Sequence, residues 1–136
     1  MAKQVLGPLT QVTVNGTDLS DHVTNVTVED SKDEVDVTGF SETYREFLPG
    51  LADASITCTF LQDTASSSVD ATIWPMYTNN TAGTVKVKPN TSGTVVYTLI
   101  SKVYSFPPVS GGVGDANTID VVFRNSSTSG LTRGTA

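Results

Sequence analysis

The residues DEVDVTGFSETYREFLPGLADASITCTFL, Asp33 to Leu61, decide the fold. They open on strict alternation, Glu34-Val35-Asp36-Val37-Thr38, and close on another, Ser55-Ile56-Thr57-Cys58-Thr59-Phe60. Each run has one apolar and one polar face, the period of two that marks a half-buried strand. Between them lies a connector rich in Phe40, Tyr44, Phe47, Leu48 and Leu51, with Arg45 among them and Pro49-Gly50 near its end. Two antiparallel strands need only a two-residue turn, so a connector this long and this aromatic has another task. It either folds back onto its own core or forms an arm that buries against a second subunit.

Working outward, the chain reads as strands separated by turn signals. Thr10–Val14 places Val12 and Val14 on one face and ends at Asn15-Gly16, a strong hairpin signal. A strand from Val23 to Asp30 follows, then a polar turn Ser31-Lys32-Asp33 before the Glu34–Thr38 strand. After Leu61, a serine among Ser66, Ser67 and Ser68 caps a short helix over 69–77, with Ile73 and Trp74 packed on a sheet and Pro75 limiting its length. Thr84–Lys88 turns Val85 and Val87 inward and Lys86 and Lys88 outward. A long strand from Thr94 to Phe106 is apolar on both faces, so both are covered in part. It stops at Pro107-Pro108. A Gly-rich loop leads to the last strand, Asn117–Arg124. The expected organisation is an N-terminal arm over 1–9, one domain over 10–125 and a mobile tail over 126–136. The fold class is mainly β: a small antiparallel barrel or sandwich of about seven strands, with one flanking helix and a long inter-strand loop arm.

Composition agrees with that class and narrows function. The 136 residues suffice for a single core. Only 16% are charged, which suits a surface that meets other subunits and equally suits many secreted β-domains. A net charge of -6 argues against tight binding of nucleic acid, which needs clustered Lys and Arg. The single cysteine, Cys58, excludes an intramolecular disulfide and reads as a buried thiol. No apolar run spans a bilayer, and the N-terminus lacks the apolar core of a signal peptide, so the chain reads as soluble and made in the cytoplasm.

The sequence resembles the tail tube (major tail) proteins of long-tailed bacteriophages and gene transfer agents. Glu34, Val35, Asp36, Val37 and Thr38 carry that likeness, then Tyr44, Arg45, Glu46, Phe47, Leu48 and Gly50, then Ala54, Ser55, Ile56 and Thr57. These residues are structural rather than chemical. The resemblance implies six subunits in a ring, strands of each combined into one barrel around a channel, and stacked rings that conduct DNA. It also implies that the connector reaches the adjoining ring. The implied partners are further copies of the chain, a tape-measure protein, a tail terminator and baseplate or distal tail proteins. The implied location is the tail of a virion assembled in the host cytoplasm.

Two groups of residues follow as candidate sites. Phe40, Tyr44, Arg45, Phe47, Leu48 and Leu51 form the inter-subunit arm. Glu29, Asp30, Glu34 and Asp36, with Asp120 as a possible addition, line an acidic lumen that repels phosphate and lets DNA pass. No cofactor, metal or catalytic residue is expected. His22 has one acidic neighbour, Asp21, and reads as a solvated turn residue; the acidic residues lack a calcium-loop spacing; Gly111-Gly112-Val113-Gly114 is not followed by a phosphate-binding helix. The competing readings are a capsid decoration or head–tail completion protein and, from another class, a β-sandwich binding or adhesin module.

Overall fold

The computed structural model describes Gly7, residues 10–90 and residues 93–135. The expected arm over 1–9 therefore lies outside the described residues, except for Gly7. Strand β1 (Gln11–Val14) turns at Asn15-Gly16, both with positive φ, into the short β2 (Thr17–Asp18). A single 3-10 turn, Ser20–His22, leads into β3 (Val23–Asp36), which pairs with β4 (Phe47–Leu61). Helix α1 (Val69–Asn79) precedes β5 (Gly83–Lys88), β6 (Val95–Ser105), β7 (Thr118–Asn125) and β8 (Leu131–Thr135). The eight strands make one antiparallel sheet in the order β2-β1-β5-β6-β7-β4-β3, with β8 also on β6. No pairing among the described residues joins β3 back to β2, so the sheet curls without closing into a barrel.

The core is the inward face of that curl. Val12, Val14, Ile56, Cys58, Phe60, Val85, Leu99, Ile119, Val121 and Phe123 are essentially inaccessible, each at an alternate position of its strand. Helix α1 closes one side with Val69, Ile73 and Met76. It tolerates Pro75 in its interior and ends at Asn80, whose left-handed backbone stops the coil. Ser68 sits at the expected cap position, but its side chain makes no capping bond to the helix. Trp74 is half-exposed and packs against Phe106, with ring centroids 5.9 Å apart. Cys58 is fully buried, and its desolvation pushes the thiol pKa up to about 12, so the buried, inert thiol expected from the sequence is present.

Three sequence expectations are corrected. The polar turn at Ser31-Lys32-Asp33 does not form; it is part of one continuous strand, because β4 supplies partners along that length, Asp53 for Ser31 and Ala52 for Lys32. The loop arm is correspondingly smaller. Residues Phe47 to Ala54 extend β4 toward its start, leaving only 37–46 as connector. The expected tail is not all loose, since Leu131–Thr135 pairs with β6 from Leu99 to Val95. Strands β7 and β8 lie end to end along one edge of β6, with residues 126–130 looped out between them. A ladder vacancy on β6 captured a segment whose own sequence has little strand pattern. The outward face of β6 is covered in part, as expected: Val96, Thr98 and Lys102 are half-buried, while Ile100 is exposed.

Candidate functional site

The residues that set this molecule apart from a plain sandwich are those of β3 and β4 that outrun the sheet. Strand β7 pairs with β4 only from Ser55 to Leu61. Beyond that point, residues 30–36 and 47–54 pair with each other alone. At the strand rise they project roughly 25 Å past the sheet. A two-stranded ribbon buries little of its own surface and is marginal alone, so it is a natural docking element.

The register assigns its faces. Val26, Val28, Asp30 and Lys32 lie opposite Cys58, Ile56, Ala54 and Ala52 on the side that continues the core. A bulge then sets Gly50 and Leu51 against Asp33, after which Glu34 pairs with Pro49, Val35 with Leu48 and Asp36 with Phe47. Space at the bulge is tight: a Cβ on Gly50 would come within 3.1 Å of Val35 and 3.2 Å of Asp33. Asp30, Glu34 and Asp36 therefore share one face of the ribbon with Phe47. Glu29 lies on the other face, which is the outward, polar side of the sheet. The four expected lumen residues do not share one wall within a subunit.

The connector is tied by short local bonds. The Val37 amide donates to the Glu46 carbonyl at 2.9 Å, and the Glu46 amide donates to Thr38 Oγ1 at 2.7 Å. Asp36 accepts from the Thr38 amide at 2.9 Å and from Arg45 Nη1 at 3.3 Å. Its carboxyl is held below the usual range, first by the Thr38 side chain, then by that amide, with Arg45 adding to the effect. The apolar side chains do not turn inward. Phe40 is fully exposed, Tyr44 is 86% exposed and Leu51 83%; Leu48 and Phe47 are about half-exposed, with Val35 and Val37 beside them. All six expected arm residues lie on this one projection, exposed to solvent. They occupy both faces of the ribbon, Phe47 beside Asp36 and Leu48 beside Val35.

At the opposite end of the sheet, His22 occupies a more ordered setting than its turn position suggests. Its Nδ1 lies 2.8 Å from Asp21 Oδ1 and its Nε2 lies 3.0 Å from Asp63 Oδ2. Asp63 also accepts from the Ala65 amide at 2.9 Å, so the histidine pins the loop before α1 to the start of β3. No local pattern signals this pairing, because Asp63 is remote from His22 in the chain. The hydrogen bond to Asp21 raises the His22 pKa above its ordinary value of 6.5 against a desolvation that lowers it, with Asp63 assisting. The Asp63 pKa is lowered, first by the Ala65 amide and then by Ser68 and His22. Protonated His22 therefore stabilises the fold at pH below 6.5, and that contribution is lost as pH rises through the raised value. The Asp63 contribution runs oppositely, lost as pH falls through its lowered value. A His22→Gln chain is expected to be less stable than the natural one near about pH 5.5, with the gap closing by about pH 8.5 in parallel denaturant titrations.

Among the described residues, no group of three or more His, Cys, Asp or Glu is placed to hold a metal ion. No helix among them is long and apolar enough to cross a membrane.

No protein-family model matches the sequence, and no curated protein is significantly similar to it. Solved structures share its fold over nearly the whole chain. One chain of the virion of a native gene transfer agent particle superposes with a TM-score of 0.76 at 12% identity, covering 96% of this chain and 97% of its own. A chain from the tail of an empty gene transfer agent particle, of C6 symmetry, gives 0.74 at 16% identity, covering 94% and 95%. A chain of the tube-terminating cap of the anti-feeding prophage gives 0.69 at 10% identity, covering 100% and 95%. The fold implied by the resemblance at Asp33–Leu61 is thus the fold observed, shared with chains of phage-like particles.

Proposed function

We propose that this chain is a tail tube subunit of a phage-like particle, assembling into hexameric rings that stack around a DNA-conducting channel. The observation that carries the reading is the projecting ribbon. It presents Phe40, Tyr44, Phe47, Leu48 and Leu51 to solvent on a chain whose fold is shared, end to end, with a chain of a six-fold symmetric tail. A lone subunit gains nothing from such an arm, whereas a subunit above or below it in a stack would bury it. A contact between unlike patches on identical subunits is heterologous, which is the kind of contact that propagates rather than closes.

The channel wall in this reading is the outward face of the sheet at β3, β4 and β7. Glu29 and Asp120 stand on it, and their charge would repel passing phosphate. Asp30, Glu34 and Asp36, on the other side of the ribbon, are assigned to contact rather than lining. The tape-measure, terminator and baseplate partners follow from the tube role. A second reading, a head–tail completion or tube-capping ring, draws support from the likeness to the tube-terminating cap. Negative-stain electron microscopy across a concentration series separates the two. Hollow tubes support the tube subunit, isolated six-fold rings support the completion role, and monomers at every concentration overturn both.

A further inference from the structure

The net charge of the chain is not spread over it. Between Glu29 and Asp53 there are eight carboxylates and two cations; the rest of the chain holds six of each sign. The whole excess of negative charge is thus on the ribbon and its connector, and the body is balanced. Of the five body cations among the described residues, four (Lys86, Lys88, Lys102 and Arg124) stand on the outward side of the sheet, and Arg133 pairs with Tyr97 on the inward side. Lys86 and Lys88 alternate outward along β5, opposite in phase to the buried Val85 and Val87. Lys102 stands directly opposite Arg124 on β6 and β7, a like-charged cross-strand pair. Arg124 is already engaged, by Asp53 at 2.8 Å and over the ring of Tyr104 at 6.0 Å. None of Lys86, Lys88 and Lys102 has a carboxylate within 4 Å among the described residues, and neither Asp30 nor Glu34 has a cation.

We propose that the acidic face of the ribbon, Asp30, Glu34 and Asp36 with Phe47, docks on the Lys86, Lys88 and Lys102 face of a second copy of this chain. Three features select that occupant. The spacing agrees, since Glu34 and Asp36 are two residues apart on one strand, as are Lys86 and Lys88, and both pairs repeat at roughly 7 Å. The chemistry agrees, because exposed Ile100 and Tyr104 lie beside the lysines as Phe47 lies beside the carboxylates. The two faces also cannot meet within one molecule. At its base the acidic face continues the inward side of the sheet, while the lysines stand on the outward side. Each copy therefore offers a donor and an acceptor that only other copies satisfy, which gives a head-to-tail contact. This inference rests on the tube reading and adds to it the surface that receives the ribbon.

The test is charge reversal with rescue, read as the concentration at which light scattering and microscopy detect assembly. Glu34→Lys with Asp36→Lys, and separately Lys86→Glu with Lys102→Glu, are each expected to raise that concentration by about tenfold or more. Mixing the two reversed chains makes every contact complementary where the two alternate, and combining all four substitutions in one chain restores every contact. The combined chain is expected to assemble within about threefold of the natural one. Circular dichroism melts confirm that each chain is folded, and Gln in place of the reversed charge replaces any variant that is not. Lysine variants that assemble like the natural chain, or a combined chain no better than its parents, overturn this contact and leave the tube reading intact. A natural chain that never assembles overturns both.

Discussion

A chain carrying Phe47→Ser and Leu48→Ser is expected to fold normally and to remain monomeric at concentrations where the natural chain assembles. Both side chains lie on the ribbon beyond the sheet body, half-exposed and outside the buried core. Removing them costs the isolated subunit little; surface changes of this kind usually fall within about 0.5 kcal/mol. Burying them against a neighbour is worth about 1.5–3 kcal/mol for each side chain. The loss is repeated at every copy in a ring, so the concentration for assembly rises by about a hundredfold or more. Sedimentation velocity and negative-stain microscopy give the assembly state, and a thermal melt gives the fold. A variant that unfolds would place these residues in the subunit's own core.

Phe60→Ala, thirteen positions further along the same strand, is expected to do the reverse. Phe60 is fully buried, paired with Val23 on one side and Ile119 on the other. Truncating it leaves a cavity in the curl of the sheet and should cost about 3–5 kcal/mol. That is a large part of the 5–15 kcal/mol, roughly, by which single domains are stable. Urea titration should show the midpoint falling with little change of slope. Assembly would fail only because folded subunits are scarce, and it should recover at low temperature or in stabilising co-solvent. The two variants thus separate the two halves of β4, one serving the subunit and the other serving its neighbours.

Much of this was legible in the sequence wherever one face of a strand meets the core. Val12 and Val14, Ile56 to Phe60, Val85 and Val87, and Ile119 to Phe123 alternate cleanly, and all are buried where expected. The helix was readable from Val69, Ile73 and Met76, despite Pro75. The ribbon was readable only in part: Glu34 to Asp36 alternates as a strand, whereas Ser31-Lys32-Asp33 and Phe47 to Asp53 owe their order to pairing rather than to burial. Ser31-Lys32-Asp33 looks like a turn until Asp53 and Ala52 are set beside it. Strand β8 was missed for the same reason: Leu131 is its one large aliphatic residue, and the free edge of β6 supplies the rest. The His22–Asp63 pair joins residues far apart in the chain, which no local pattern encodes. The exposed aromatics of the connector were visible as an anomaly in composition. A sequence does not say which surface would receive them.

The bulge at Gly50-Leu51 has a consequence for how this protein can vary. Up to Ala52 the residues of β4 that share the Asp30 side have even numbers; past the bulge they have odd ones, so Phe47 and Pro49 replace Leu48 and Gly50 on that side. The extra residue acts as a change of phase between two halves of one strand. Loss of a single residue there would heal the bulge, because one residue would then stand opposite Asp33 between the Lys32–Ala52 and Glu34–Pro49 pairs, and Phe47 would stay beside Asp36. Loss of a single residue elsewhere along the ribbon would instead exchange the two faces of everything beyond it. Length changes in the connector at 37–46 carry no such penalty. Tolerated single-residue insertions and deletions should therefore cluster in the connector and at the bulge, and changes elsewhere along the ribbon should come in pairs of residues.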